Sequence, residues 1–175
     1  FFREPFFSLS DQAILSLSNV SFVKNKGPYP KGFIYVHGSQ LKLHNVDFKG
    51  NGLSIHISNN PLFPNQGVAF VGYFIMAHDG SENNVDVGIS THIRLYNSVF
   101  ENNTFSSYGT LSCSAIKVTN VELTIEKSIF KSMTSIDECH SYALHAQESN
   151  VKIKNSAFAK LAGKSLNHFY GIAVT

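Results

Sequence analysis

Charged residues make up only 15% of the sequence, and the net charge is +2. Arginine is scarce, with only Arg3 and Arg94, and the lysines are spread thinly along the chain. Nucleic-acid-binding proteins concentrate Lys and Arg on one face, so this pattern argues against a nucleic-acid partner. Long hydrophobic runs are also missing. The longest, residues 67–77, is too short to span a bilayer, so we expect no transmembrane segment.

An initiator Met and a recognisable signal peptide are missing as well. The chain begins with "FFREPFF" and stops at "YGIAVT", which has the composition of half a strand. We therefore expect residues 1–175 to be a single segment of a longer chain. A hydrophobic fraction of 43% over 175 residues is sufficient for one domain with a buried core, and it excludes wholesale disorder.

A short pattern recurs five times along the chain. Two alternating apolar residues are followed by a turn residue and, three residues later, by Phe. The apolar pairs are Leu15/Leu17, Leu41/Leu43, Ile93/Leu95, Leu123/Ile125 and Val151/Ile153. The turn residues are Asn19, Asn45, Asn97, Lys127 and Asn155, and the aromatic residues are Phe22, Phe48, Phe100, Phe130 and Phe158. The aligned blocks begin at Phe7, Phe33, Val85, Ala115 and Ala143, and a sixth begins at Gly171.

This pattern predicts how the repeats pack. Alternation of period two is typical of a strand, and Asn after it indicates a turn because Asn tolerates a left-handed backbone. One repeat cannot bury its own apolar and Phe side chains, but stacked repeats bury them in one column, with coils about 4.8 Å apart. A second short strand precedes each pair, as at 33–36, 115–118 and 142–146. Because hairpin dipeptides are mostly missing, the sequence predicts an all-β parallel β-helix (solenoid) rather than a sandwich.

The repeats resemble the right-handed parallel β-helix, and in particular the repeats of polymorphic outer membrane proteins. The hallmark of that family is Phe-x-x-Asn after a strand of small and aliphatic residues. The motif occurs here as Phe22–Asn25, Phe48–Asn51 and Phe100–Asn103, whereas Met133 and Leu161 replace the Asn in the last two coils. The spacing of the repeats, with the sixth block, predicts about five to six coils of 26–30 residues. The resemblance implies surface display and adhesion, and hence an extracellular or cell-surface location.

Successive Phe residues are 26, 52, 30 and 28 positions apart, so the third coil contains additional chain. The stretch "FIMAHDG" at 74–80 resembles "FIYVHG" at 33–38, which makes Phe74 an alternative start for the third coil. The loop-like composition of 58–67 favours one coil with two excursions, in a loop-rich region at 50–92. Two coils, one of which has lost its Phe, is the alternative. Long loops on a rigid scaffold often carry function, but tolerated insertion is the simpler interpretation.

An enzyme is the first function class to test, because right-handed β-helices include pectate lyases, polygalacturonases and esterases. Such sites place several Asp side chains on adjacent coils. The outward positions of the repeated strand are Ser16, Lys42, Arg94, Thr124 and Lys152, then Ser18, His44, Tyr96, Glu126 and Lys154. They include no Asp and one carboxylate, Glu126, which we expect to form a weak surface ion pair with Lys154. We therefore expect no catalytic residues and no cofactor in this segment.

The same positions form a mildly basic, partly aromatic stripe of Lys42, His44, Arg94, Tyr96, Lys152 and Lys154. Such a stripe can bind an acidic polysaccharide or a membrane surface through charge and ring stacking. The simpler interpretation is a solvated sheet face that keeps the strands soluble.

Calcium is the one metal to consider, because oxygen ligands are dense in "HDGSENNVD" at 78–86. The candidates are Asp79, Glu82, Asn83 and Asp86. Their spacing does not match an EF-hand loop, so a polar loop without an ion is the simpler interpretation. The eight histidines show no ligand spacing and predict no metal site.

Cys113 and Cys139 are 26 residues apart, close to one coil, and precede equivalent strands. They differ in register by two residues, which a turn can absorb, so a disulfide and an oxidising compartment are expected. Two free thiols in a cytosolic protein are the alternative. Sequons at Asn19 and Asn102 agree with secretion, and Asn102 is the better glycan candidate because Asn19 belongs to the turn ladder.

Two functions follow from these observations. The first is a structural or adhesive β-helix segment of an extracellular surface protein or filament, whose partners are further coils of its own chain, other copies of itself, or carbohydrate. The second is a non-catalytic part of a β-helix polysaccharide-active enzyme. Clustered Asp residues in flanking coils would favour the enzyme, whereas more of the same repeats, or self-assembly, would favour the structural role.

Overall fold

A computed structural model of the chain describes residues 4–27, 32–55, 73–78, 91–107, 112–136, 140–163 and 169–175. These residues form strands and turns, without a helix among them. The strands pair in parallel and stack as a solenoid, so the all-β parallel fold predicted from the repeat is confirmed.

Each coil of the described chain contains four short strands. The first coil has β1 (Phe7–Leu9), β2 (Ile14–Ser18), β3 (Ser21–Val23) and β4 (Lys26–Gly27). The second has β5 (Ile34–His37), β6 (Gln40–His44), β7 (Asp47–Lys49) and β8 (Gly52–Ile55). The third has β9 (Tyr73–His78), β10 (His92–Tyr96), β11 (Val99–Glu101) and β12 (Thr104–Ser107). The fourth has β13 (Ser112–Thr119), β14 (Glu122–Glu126), β15 (Ile129–Lys131) and β16 (Thr134–Ile136). The fifth has β17 (His140–Gln147), β18 (Asn150–Lys154), β19 (Ala157–Ala159) and β20 (Ala162–Gly163), and β21 (Phe169–Val174) follows.

Equivalent strands of successive coils stack into four sheets. The first sheet contains β1, β5, β9, β13, β17 and β21, and the second contains β2, β6, β10, β14 and β18. The third contains β3, β7, β11, β15 and β19, and the fourth contains β4, β8, β12, β16 and β20. Counted as turns between the first layer and the fifth, the solenoid makes about four, fewer than the predicted five to six coils. The difference is one of counting, because five stacked layers are separated by four steps.

The third coil begins with β9 and not at Val85. Ile75 is the register partner of Ile34 on one side and of Ile116 on the other, so β9 lies between β5 and β13. Val85 lies outside the described residues. Because β10 pairs directly with β6 and with β14, the chain between β6 and β14 adds one layer to the second sheet.

At the corners that the structure describes, the backbone is left-handed, which bends the chain from one sheet into the next. The corner between the first and second sheets uses Gln12, Gly38, Asn120 and Glu148. The corner between the second and third sheets uses Asn19, Asn45, Asn97, Lys127 and Asn155, with φ between 49° and 57°. The corner between the third and fourth sheets uses Lys24, Gly50, Asn102, Ser132 and Lys160. Asn is frequent because its short polar side chain tolerates this conformation.

One Phe from each coil enters a continuous stack in the core. Phe22, Phe48, Phe100, Phe130 and Phe158 follow one another with ring centroids 4.6–4.7 Å apart and planes within 8° of parallel. The first four are buried, and Phe158 at the end of the stack is half-buried. The ring spacing matches the distance between neighbouring strands, so each ring adds to the stack without disturbing the backbone ladder.

A second Phe series runs beside the first. Phe33 and Phe74 have centroids 5.2 Å apart, and Phe74 and Phe105 have centroids 5.3 Å apart, with planes tilted by 42° and 43°. Phe105 comes from β12 in the fourth sheet, whereas the corresponding residue of the fourth coil's first strand is Ala115. The aromatic series therefore continues past Phe74 by using a residue from another sheet.

Two Asn ladders cross the coils at the corners. At the exposed corner, Asn45 Nδ2 donates to Asn19 Oδ1 at 3.0 Å, and Asn97 Nδ2 donates to Asn45 Oδ1 at 2.7 Å. At the corner after the Phe, Asn51 and Asn103 of the Phe-x-x-Asn motif are buried and Asn25 is half-buried. Asn51 Oδ1 accepts from the Asn25 backbone N–H at 3.0 Å, and Asn103 Oδ1 accepts from the Asn51 N–H at 2.9 Å. These bonds satisfy backbone groups that turn inward at a corner.

Serine supplies a further ladder on the core side of the corner between the second and third sheets. Ser98 Oγ accepts from the Val46 N–H, Ser128 Oγ accepts from the Ser98 N–H, and Ser156 Oγ accepts from the Ser128 N–H, at 3.1–3.3 Å. Each hydroxyl also donates to the carbonyl two residues earlier, so it closes the turn of its own coil and links that turn to the next.

Candidate functional site

The second sheet carries the outward residues that the repeat singled out. Its apolar pairs point into the core, so the alternate residues point outward. The register aligns them in two rows, Ser16, Lys42, Arg94, Thr124 and Lys152, and Ser18, His44, Tyr96, Glu126 and Lys154. The six residues of the predicted stripe all lie on these rows. We refer to Lys42, His44, Arg94, Tyr96, Lys152 and Lys154 as the second-sheet face.

The two rings of this face stack on each other. His44 and Tyr96 have centroids 5.2 Å apart and planes within 3° of parallel. Because they sit on neighbouring strands, their faces point along the solenoid axis and their edges point outward. Lys127 Nζ donates to Tyr96 Oη at 2.7 Å, which raises the pKa of Lys127 above its ordinary value. The ring faces that His44 and Tyr96 turn toward each other are therefore closed to a ligand, and Lys127 Nζ lies 5.0 Å from the centroid of the Tyr96 ring. The ring edges offer hydrogen-bonding groups, and ring stacking with a ligand stays a prediction.

Lys42 and Arg94 are register partners on β6 and β10, and both are exposed. They border a shallow cavity of about 130 Å³, which is also lined by Gln40, Leu41 and His92. Two cations, an amide and an imidazole thus surround one depression. A site of this composition can bind an anion through charge and through hydrogen-bond donors.

The sequence analysis did not predict His92 and Gln40 as site residues. It named Lys127 only as a turn residue. His92 Nε2 lies 2.8 Å from Glu122 Oε2 on the next coil, an arrangement that fixes the orientation of the imidazole. Gln40 and His92 are the first residues of their strands, one position before the apolar pair, and the repeat draws attention only to the positions that follow. Their register alignment would have followed from counting back two residues from Lys42 and Arg94.

The ion pair predicted between Glu126 and Lys154 is not formed. The two residues are register partners. However, the salt bridges among the described residues join other groups, and neither Glu126 nor Lys154 takes part in one. Lys154 is exposed and Glu126 is half-buried, and near solvent the attraction between charges is too weak to hold two long side chains in one geometry.

The outward side of the third sheet is different, because its cations are paired. Lys49 Nζ lies 2.9 Å from Asp47 Oδ2, and this hydrogen bond raises the pKa of Lys49. Lys131 Nζ lies 3.0 Å from Glu101 Oε1 on the neighbouring coil. The charges on this sheet therefore largely neutralise one another.

The outward row of the first sheet contains a lysine and a histidine that are half-buried and that the sequence analysis did not single out. Lys117 on β13 is the register partner of His145 on β17. Burial lowers the pKa of Lys117. Burial, and to a smaller extent the charge of Lys117, lowers the pKa of His145. The ring of His145 stacks near Tyr142, with centroids 5.0 Å apart, and its Nδ1 has no hydrogen-bond partner among the described residues.

Both predicted glycosylation positions lie at left-handed corners and are exposed. Asn19 accepts a hydrogen bond from Asn45 through its side-chain oxygen, so a glycan on Asn19 would compete with the exposed Asn ladder. Asn102 binds the next coil through its backbone N–H, which donates to the Lys131 carbonyl at 3.2 Å. Asn102 is therefore the sterically simpler glycan position, as expected from the sequence.

The disulfide prediction involves one residue outside the described part of the chain. Cys113 is buried on β13, with Ser141 as its register partner. Cys139 lies outside the described residues, two positions before Ser141. The predicted bond between Cys113 and Cys139 stays a prediction.

The calcium candidates Asp79, Glu82, Asn83 and Asp86 all lie outside the described residues. Within the part of the chain that the structure describes, His, Cys, Asp and Glu side chains do not gather in groups of three or more. Calcium binding at 78–86 therefore stays a prediction.

Comparisons with family models, with curated proteins and with solved structures find nothing that matches this chain. The polymorphic outer membrane protein resemblance is thus supported only at the level of a parallel β-solenoid. Over the described ranges, no helix has the length and apolarity needed to cross a membrane.

Proposed function

We propose that this chain is a structural or adhesive segment of an extracellular surface protein or filament, in which its layers stack against further layers of the same kind. The observation that carries the proposal is the difference between inner and outer layers. Leu41 and Leu43 in the second coil are buried, whereas Leu15 and Leu17 in the first coil are half-buried. An additional layer would complete the burial that every inner layer already has.

The outermost layer at the other end of the solenoid also has apolar residues that are only half-buried. Val151 and Ile153 on β18 are half-buried, and Phe158 terminates the Phe stack with one face uncovered by another ring of that series. The Asn150 N–H donates to the Val121 carbonyl, and the Lys154 carbonyl accepts from the Lys127 N–H. Since alternate residues of a parallel strand face opposite neighbours, the backbone groups of Val151 and Ile153 point away from β14. Such an edge is a template for another strand.

Light scattering of the chain at several concentrations tests this proposal. We expect the mass to rise with concentration, because the end layers pair with those of other copies. Val151→Pro should suppress the rise, since it removes an outward-facing N–H without breaking a bond to β14. The matched control is Val151→Ala, which shortens the side chain but keeps the N–H, and which should still assemble. A monomer at all concentrations, or equal behaviour of the two variants, would contradict the proposal.

The extracellular part of the proposal is supported by the Cys113 and Cys139 pair and by the Asn102 sequon. Mass spectrometry of unreduced peptides from the secreted chain should find Cys113 linked to Cys139 and a glycan on Asn102. Two free thiols would contradict an oxidising compartment. We further propose that this segment has no catalytic role of its own, so the chain should release no sugar from acidic polysaccharides during prolonged incubation.

A further inference from the structure

The strand register places two like charges side by side on the second sheet. Lys42 and Arg94 are directly opposite one another on adjacent strands, where like charges destabilise a sheet. Neither side chain forms an ion pair or a hydrogen bond with another residue in the described ranges. The nearest carboxylates on the next coil are Glu122, which is engaged by His92, and Glu126, which lies two residues further along its strand from Thr124.

The contrast with the third sheet shows that this chain neutralises outward cations elsewhere. There, Lys49 and Lys131 are each within 3.0 Å of a carboxylate oxygen, from Asp47 and Glu101. A carboxylate at position 124, the register partner of Arg94, would neutralise the second sheet in the same way, but the residue there is Thr124. The unpaired cations of the second sheet therefore have a different role from the paired cations of the third.

The cations form a line along the solenoid axis. Lys42, Arg94 and Lys152 occupy one row, with Thr124 between the last two. Three steps between layers separate Lys42 from Lys152, a distance of about 14 Å. A small free anion would occupy only the cavity beside Lys42 and Arg94, whereas the row as a whole suits an extended ligand with regularly spaced negative charges.

The neighbouring polar groups favour a polysaccharide over other polyanions. Gln40 and His92 line the cavity, and the edges of His44 and Tyr96 flank the row on the other side. Amide, imidazole and phenol groups match the hydroxyl groups of sugars. Single-stranded nucleic acids use exposed ring faces for base stacking, whereas His44 and Tyr96 each have one face covered by the other ring and Lys127 Nζ lies over the Tyr96 ring.

We propose that the row of Lys42, Arg94, Thr124 and Lys152 binds an acidic polysaccharide that lies along the solenoid axis, with an anionic group held between Lys42 and Arg94 at the cavity. This role does not depend on stacking of the end layers, since the row is on the side of the solenoid. The two proposals can therefore fail separately.

The experiment measures binding of heparin, polygalacturonate and neutral dextran to the chain by calorimetry at low and physiological salt. Heparin represents a sulfated polysaccharide and polygalacturonate a carboxylated one, so the two arms identify the anionic group. We expect one of them to bind and dextran not to bind. Binding should weaken with salt, because the contacts are between exposed charges.

The double variant Lys42→Gln/Arg94→Gln should weaken binding at least about tenfold, the loss expected when two charge-assisted contacts are removed. The matched control Lys49→Gln/Lys131→Gln removes the same charge from the third sheet and should change affinity less than about twofold. Thermal unfolding monitored by circular dichroism verifies that both variants keep the fold. Equal losses in the two variants would mean that only net charge matters and would overturn the proposal.

Two further outcomes would overturn it. One is binding of neither acidic polysaccharide. The other is tighter binding to single-stranded DNA or to phosphatidylserine vesicles than to both polysaccharides, which would assign the row to a nucleic acid or to a membrane surface instead.

Discussion

The first three coils and the last two coils share one Phe stack but differ at the corner that follows it. In the first three coils, a hydrogen-bond ladder of Asn25, Asn51 and Asn103 occupies this corner, and its last two members are buried. In the last two coils, Met133 and Leu161 stand in the same place, and Met133 is completely buried in the core. One backbone corner is therefore compatible with two kinds of interior, one hydrogen-bonded and one apolar.

The same two regions differ on the first sheet. The outward row contains Ser8, Tyr35 and Met76 in the first three coils but Lys117 and His145 in the next two. The difference teaches that the Phe stack and the strand register are shared requirements of all layers, whereas corners and outward rows can change from coil to coil. Substitutions at shared positions should have equal effects in both regions, and substitutions at variable positions should not.

The largest effect is expected at the shared Phe stack. Phe48→Ala and Phe130→Ala should each lower the free energy of unfolding by about 3–5 kcal/mol, because both rings are completely buried between two others. Chemical denaturation measures the loss. Phe158→Ala should cost less, since this ring is half-buried at the end of the stack. A large difference between Phe48→Ala and Phe130→Ala would show that the two regions do not share one core.

A smaller effect should separate the two regions at the corner. Asn51→Leu should cost about 1–3 kcal/mol, because it leaves the Asn25 N–H and the Phe22 carbonyl without the partners they now have at 3.0 and 2.8 Å. The reverse change in the fourth coil, Met133→Asn, should alter stability by less than about 1 kcal/mol, since the new amide can extend the ladder from Asn103 and offset the lost apolar contact.

Denaturation curves measure how far the free energy of unfolding changes in Asn51→Leu and in Met133→Asn. If Met133→Asn is as destabilising as Asn51→Leu, the fourth-coil corner cannot accept the ladder, and the two corners differ in backbone geometry as well as in side chain. A neutral Asn51→Leu variant would instead show that the ladder contributes nothing to stability.

The smallest expected effect is a pH dependence confined to the outward row of the last two coils. Burial, then Lys117, lowers the pKa of His145 in the folded chain, whereas the unfolded chain binds a proton near the ordinary pKa of about 6.5. The unfolded state therefore gains more protons as the pH falls through that value, and stability should decrease from pH 7.5 to pH 5.5.

Thermal unfolding across this pH range measures the effect. His145→Gln should flatten the dependence, and Lys117→Met, which copies Met76 of the third coil, should reduce it without abolishing it, since burial is the main cause. An unchanged pH dependence in His145→Gln would show that other groups are responsible.

The sequence predicted those features of the fold that are repeated as residue types. Apolar pairs, Asn turns and Phe residues recur in the sequence, so the second sheet, its register and the outward rows could be derived by alignment. The fourth sheet could not, because no residue type recurs along all of its strands: Lys26–Gly27 pairs with Gly52–Ile55, and Thr134–Ile136 pairs with Ala162–Gly163.

Other features could not be predicted from the sequence because they depend on contacts between different sheets or on residues outside the repeat. Phe105 continues the tilted aromatic series from a sheet with no aromatic repeat, and nothing in the sequence relates it to Phe74. The start of the third coil was also predicted wrongly from the alignment. Aligning the repeats without a gap placed it at Val85, whereas the first strand of this coil, β9, ends at His78 and is followed by a longer connection to β10 than in the other coils. The orientation of His44 and Tyr96 follows from stacking, which residue identity does not specify.

The distance between neighbouring rings of the Phe stack does not depend on how many residues separate them in the chain. Phe48 and Phe100 are 52 residues apart, yet their centroids are 4.6 Å apart, the same as for Phe100 and Phe130, which are 30 residues apart. The entropy of closing a loop grows slowly with length, by about 0.6 kcal/mol for each doubling. The connections that flank β9 are thus natural insertion points for engineering. Because β9 pairs with β5 and with β13, a foreign peptide inserted before or after β9 would be joined to the solenoid at a fixed height. Peptides inserted in different coils would be joined at heights that differ by multiples of about 4.8 Å.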